Sequence, residues 1–265
     1  GTGLKDFKPE AFSLHYQRSL FSSMQSLVRE TYQNLERNKK ALPADMQDRI
    51  DRIMAYRPEL LSTLKKIYVK KLDAQKIRIH GNYDLGQILL TGKDIAINDF
   101  SGDPSLSYSE RRLRRSPFVD VASMVISFYE VAFDGFWHDA QLHADDVGRI
   151  LPMAAVWAYF NSGFFIRAYK EKMQGSPIIP AAQEDFETML QYYLVQSAMM
   201  CFNSYLKTDP KRVVIPQTIL RKMLSPQTEA EQPTVTAAVA QAVVAPAPAG
   251  SAQATAVPVV VPVAG

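Results

Sequence analysis

Apolar residues recur at helical spacing near the start of the chain, at Phe12, Tyr16, Leu20, Met24, Leu27 and Leu35. That spacing puts them on one face of a helix and predicts a long amphipathic helix over residues 9–42, ended by Pro43. A second helix is expected over 44–55. Pro58 opens a third, whose apolar face carries Leu61, Leu64, Ile67 and Tyr68. These three are expected to pack together as a helical subdomain. The period then changes to two: residues 76–80 alternate polar and apolar, 88–90 are a short apolar run, and 94–98 alternate again. Thr91-Gly92-Lys93 supplies a turn between the last two. A loop over 104–117 leads back to helices expected at 118–137, 144–172, 184–206 and 217–224. The pattern defines a mainly α fold with a small β insert.

Composition narrows the class. With 265 residues, 47% hydrophobic and 22% charged, the chain can bury a large core. Beyond residue 225 it turns to Ala, Val, Pro, Thr and Gln with almost no charge. Two regions are therefore expected: a folded domain over 1–225 and a low-complexity tail over 226–265. The formal net charge of +3 gives no electrostatic case for a nucleic-acid partner. The basic run from Arg111 to Arg115 lacks interleaved aromatics and reads as a solvated or phosphate-facing turn. No apolar stretch is long enough to span a bilayer, so no membrane partner is expected. One cysteine, Cys201, excludes an internal disulfide and reads as a buried structural thiol, which fits a cytoplasmic setting. The chain opens on Gly-Thr-Gly rather than Met, which reads as a piece of a longer polypeptide.

Candidate chemistry concentrates between His80 and Asp103. Phosphoryl transfer from ATP to a hydroxyl needs a carboxylate to orient and deprotonate the acceptor, and an amide and a second carboxylate to hold magnesium. In kinases the base sits in a loop, the amide follows five residues on, and the metal carboxylate follows the next hairpin. Asn82, Gln87 and Asp99 occupy those positions. Elsewhere the signals are weak. His15, His138 and His143 lack zinc-site spacing, the 138–146 stretch reads as a solvated interhelix loop, and there is no Gly-x-Ser-x-Gly elbow or Walker-type loop. Trp137, Trp157, Tyr159 and Tyr169 could stack on sugar rings, but their spacing on apolar helices reads as core.

The stretches RIHGNYDLGQILLTGKD, NDFSGDP and YSERRLRRSPFVDVASMVISF, with the leading FSLHYQRSLFSSM, resemble the C-terminal lobe of bacterial maltokinase. The resemblance runs over roughly residues 7–220. It implies the C-terminal lobe of an aminoglycoside-phosphotransferase-like kinase fold, of a family often fused to trehalose synthase. It also implies transfer of phosphate from ATP to maltose, giving maltose 1-phosphate for α-glucan or glycogen synthesis. Carried across, the family's His-Gly-Asp-Tyr-His-Leu-Gly-Gln becomes His80 to Gln87, with His80 and Gly81 in the turn that aims the base. Gln87 and Asp99 fall on the Mg2+ ligands. Asp103 stands for the second acid of the following motif, and Asp120 for a helix-start carboxylate that supports the loop through its backbone amides.

The departures lie at the reacting end. Asn82 stands where the family has its catalytic Asp; an amide can hydrogen-bond an acceptor hydroxyl but cannot take its proton. Asp84, two residues on, is the available substitute base. In QSAMMCFNSYLKTDPKRVVIP the family's Lys, Tyr-Glu, Arg and Trp are replaced by Ser197, Met200-Cys201, Asp209 and Arg212, so the acceptor site is expected to be eroded. The β-rich ATP lobe has no counterpart before Phe7, and the isolated chain is expected to bind nucleotide poorly. Two outcomes stay open: a phosphotransferase acting on maltose or a related sugar, and a catalytically degenerate domain with a structural or regulatory role beside a trehalose synthase domain.

Overall fold

The computed structural model describes residues 7–137 and 144–224, with the side chains of 45, 136, 137 and 144–150 left aside. Eight helices form among these residues: α1 (Leu14–Lys39), α2 (Ala44–Ala55), α3 (Arg57–Lys65), α4 (Tyr108–Arg111), α5 (Phe118–Trp137), α6 (Ala144–Lys172), α7 (Gln183–Thr208) and α8 (Val214–Leu224). Two antiparallel ribbons accompany them. In one, β1 (Glu10–Ala11) pairs with β2 (Gln75–Lys76); in the other, β3 (Ile88–Leu90) pairs with β4 (Ile95–Ile97), with Ile88 opposite Ile97. The fold is mainly α with small sheets, as the periodicity indicated.

The long first helix starts at Leu14 rather than near Pro9, because Ser13 accepts a hydrogen bond from the Tyr16 N–H and caps it. Residues 10–11 pair with β2 instead. Met24, Val28, Tyr32 and Leu35 of α1 are buried, and so are two polar residues, Thr31 and Gln17. The Gln17 amide donates to the carbonyls of Ile67 at 2.6 Å and Lys70 at 2.7 Å and accepts from the Leu72 N–H at 3.2 Å, tying α1 to the segment after α3. Helices α1 to α3 pack on one another as expected, and their core is continuous with that of the later helices. Buried side chains of these helices are continuous with Phe118, Tyr129, Phe186, Tyr193, Phe202 and Ile215 in one core. The reason is α7, whose buried face carries residues on more than one side and packs against α1, α3, α5 and α8 together.

The alternating residues 76–80 do not make a full strand. Only Gln75 and Lys76 find a partner strand, and Ile77 adds a single bridge to Arg115. The predicted 104–117 loop contains α4, closed by a capping box in which Ser107 and Glu110 serve each other's backbone N–H. Of the aromatic residues of α6 read as core, Trp157 is 42% exposed and Tyr159 38%, while Tyr169 packs against the core. Among the described residues no helix is long and apolar enough to cross a membrane. The tail over 226–265 and the loop at 138–143 lie outside the described residues.

Candidate functional site

Helix α5 organises the central loop. Asp120, in its first turn, accepts the His80 N–H on one carboxylate oxygen and the Gly81 N–H on the other, each at 2.8 Å. One turn pair further along, the Ser127 hydroxyl accepts the Leu85 N–H at 3.2 Å. Seven residues of helix is two turns, so Asp120 and Ser127 share a face, and the 80–85 loop is stitched along it. Burial pushes the Asp120 carboxyl up, while the two N–H groups and His80 pull it back.

Close approach of two backbones fixes the loop's exit. Gly81 and Gly102 both have positive φ, 82° and 83°. A Cβ on Gly81 would lie 3.4 Å from the Gly102 Cα, and one on Gly102 would lie 3.2 Å from the Arg111 Cβ. Arg111 then clamps the turn from outside, donating to the carbonyls of Leu106 at 2.8 Å and Pro104 at 2.9 Å. Asp103 accepts from the N–H and hydroxyl of Ser105 at 2.8 and 2.7 Å, and so closes this turn.

The β3–β4 hairpin brings Gln87 and Asp99 to one end. The Asn98 N–H donates to the Gln87 carbonyl at 2.8 Å, one residue before Asp99. Asp99 itself has φ 53°, a left-handed conformation rare outside glycine, and it is exposed. A strained, exposed carboxylate at a hairpin end is where function is found more often than elsewhere. Hydrogen bonds from Ser101 hold its pKa below the usual carboxylate range. His80 ties hairpin to loop: its Nε2 contacts the Asn98 carbonyl at 2.8 Å and its Nδ1 accepts the Asn82 N–H at 3.3 Å. A carbonyl only accepts and an amide N–H only donates, so this network assigns the Nε2–H tautomer. The ring also lies 4.9 Å from that of Phe100.

Gln87 and Asp99 fit magnesium in number and kind. Mg2+ takes oxygen ligands, commonly one or two from protein with the remainder from substrate phosphates and water. Among the described residues no group of three or more His, Cys, Asp or Glu side chains gathers to hold a metal, so a site built wholly from such protein ligands is not what this arrangement offers.

A second polar cluster continues the α5 face and was not foreseen from sequence. Beyond Ser127 come Glu130 and Asp134, which meet Tyr205 of α7 and Arg212 of the following turn. Glu130 accepts the Tyr205 hydroxyl; Arg212 grips both oxygens of Asp134, with Nε at 3.2 Å from Oδ1, and lies 5.4 Å from the centre of the Tyr205 ring. Burial pushes the Glu130 carboxyl up; Tyr205 and Arg212 oppose that, and Asp134 and Asp84 add to it. Asp84 is therefore within electrostatic reach of this cluster. Arg212, one of the residues that replace the family's charged and aromatic groups, is held by a carboxylate 78 positions earlier. The available signal was Glu130 and Asp134 as the last acids of an otherwise apolar helix, in register with Asp120. Cys201 is half-buried beside this cluster, with burial pushing its thiol up to about 12.

The chain shares its fold with solved sugar kinases. A glucosamine kinase structure in complex with glucosamine, ADP and inorganic phosphate superposes with a TM-score of 0.62 at 17% sequence identity, covering 84% of this chain and 51% of that one. Two further glucosamine kinase crystal forms match at 16% and 18% identity with TM-scores of 0.62 and 0.59. The chain spans about half the length of these structures. No protein-family model matches it.

Proposed function

We propose that this chain is the acceptor-side domain of an ATP-dependent sugar phosphotransferase, with maltose as the acceptor indicated by the sequence resemblance. The observation that carries the reading is the hydrogen bond from the Asn98 N–H to the Gln87 carbonyl, which sets Gln87 and Asp99 at one end of the hairpin, beside a loop whose backbone is held by Asp120 and Ser127. In the reaction, an acceptor hydroxyl oxygen bonds to the γ-phosphorus of ATP as the bond to the β–γ bridging oxygen breaks. ADP leaves, and the hydroxyl proton must go to a base. Magnesium, when held by Gln87 and Asp99, supplies charge neutralisation at the phosphates.

The chain's own residues divide the remaining work. Asn82 hydrogen-bonds and orients the acceptor hydroxyl, and the proton departs to Asp84 or to water. Absence of a positioned base slows the step by about 10²–10⁴-fold relative to a carboxylate at the same place. The cluster of Glu130, Asp134, Tyr205 and Arg212 lies within electrostatic reach of Asp84 and would tune its charge. A second reading has one observation in its favour, Asn82 itself: a degenerate kinase domain with a structural or regulatory role beside a trehalose synthase domain.

The test is formation of sugar phosphate from Mg-ATP by the complete protein, with maltose and glucosamine as acceptors, against Asp99→Ala. The proposal expects slow turnover that Asp99→Ala abolishes. Turnover untouched by Asp99→Ala would place the chemistry elsewhere, and no turnover with either sugar would favour the degenerate domain.

A further inference from the structure

Helices α1, α2 and α3 line an open groove of about 300 Å³ that shares no residue with the site just described. That volume lies at the lower end of the range for small-ligand sites, roughly 300–1,000 Å³. Its wall is one face of α1, where Arg29, Tyr32, Gln33, Glu36 and Arg37 follow one another at helical spacing; Met54 and Arg57 complete it from α2 and α3. The floor is firm. Tyr32 is buried, and its hydroxyl donates to the Ile53 carbonyl at 3.0 Å. The Arg57 guanidinium lies 5.5 Å from the centre of the Tyr32 ring.

The charge of the lining is unbalanced. Three guanidinium groups face one carboxylate, that of Glu36. None of the ion pairs among the described residues involves Arg29, Arg37 or Arg57. Glu59 also acts on Tyr32 and tempers the potential without cancelling it. Elsewhere on this molecule basic side chains do find carboxylates: Lys39 pairs with Asp51, Lys70 with Asp185, and Arg114 with Glu10. The two α1 arginines are eight residues apart, about 12 Å along the helix, so each guanidinium can engage a separate anionic group of one ligand. A ligand with two or more anionic groups can meet both, and guanidinium forks match phosphate oxygens two at a time.

We infer that this pocket binds a small ligand carrying more than one phosphate charge. The probe is inorganic pyrophosphate, titrated calorimetrically into the chain at fixed ionic strength. Saturable binding of one pyrophosphate per chain is expected. Arg29→Ala and Arg57→Ala should each weaken it about tenfold or more, the loss expected of a charge-assisted hydrogen bond. Arg18→Ala removes the same charge from an exposed position on the same helix, outside the pocket, and should leave binding unchanged. Thermal melts of all three variants check that the fold persists. Absence of saturable binding, or an Arg18→Ala loss equal to that of Arg29→Ala, would overturn the assignment. Neither result bears on the proposed phosphotransfer, whose residues lie on other elements.

Discussion

Replacing Asp120 by Ala removes the acceptor of two backbone hydrogen bonds, the His80 and Gly81 N–H groups, each at 2.8 Å. His80 is buried, so the freed N–H groups cannot both be solvated in place. A hydrogen bond to a charged group contributes about 1.5–3 kcal/mol, and burial of the carboxylate offsets part of it. The net loss for the pair is then about 2–4 kcal/mol. For a domain of this size that lowers the melting temperature by roughly 4–16 °C. Calorimetric melting measures the stability change, and amide hydrogen exchange at His80 and Gly81 tests whether the loop itself has loosened. Both amides should exchange faster in Asp120→Ala, while those in the core of α1 should change only in proportion to global stability. Asp120→Asn keeps one acceptor oxygen and should fall between wild type and Asp120→Ala. A melting temperature shifted by less than about 1 °C, with protection at His80 and Gly81 intact, would refute the claim that Asp120 holds this loop.

Other consequences follow from single side chains. Gln17→Leu leaves the carbonyls of Ile67 and Lys70 and the Leu72 N–H without their partner, and should cost about 2–4 kcal/mol in denaturant unfolding. An unchanged midpoint would contradict it. Gly102→Ala meets both a φ of 83° and the Arg111 Cβ at 3.2 Å, and should destabilise by about 1–3 kcal/mol in the same measurement; a neutral effect would show that the turn can relax. The Glu130 carboxyl is raised, so the folded state holds that proton more tightly than the unfolded state does. Its contribution is present below the ordinary value of 4.5 and is lost as pH rises through the raised value. Glu130→Gln should therefore gain on wild type in melting temperature as pH climbs above 4.5, and a difference constant with pH would contradict the sign.

The helices were legible because their apolar residues keep a helical period over many turns, and α2 and α5 have the bounds the pattern gives. Where a partner decides, the sequence is silent. Residues 76–80 alternate as a strand should, but only the two-residue β1 and Arg115 lie beside them. The Ser107-x-x-Glu110 cap of α4 was present in the sequence as a local signal, hidden within a basic run that reads as a turn. Around the proposed site the hairpin was readable, since β3 and β4 form where the short apolar run and the alternating run flank Thr91-Gly92-Lys93. The meeting of Glu130 and Asp134 with Tyr205 and Arg212 spans more than seventy residues, and no local pattern encodes it. Asp103 shows the reverse difficulty, a motif residue whose side chain serves its own turn.

The most direct test of the central claim is the rate of sugar phosphate formation from Mg-ATP by the complete protein, wild type against Asn82→Asp. The account places Asn82 at the position of the missing base, in an otherwise ordered site. It predicts slow turnover in the wild type and a gain of about 10²–10⁴-fold on restoring the carboxylate. An Asn82→Asp protein no faster than wild type would contradict it.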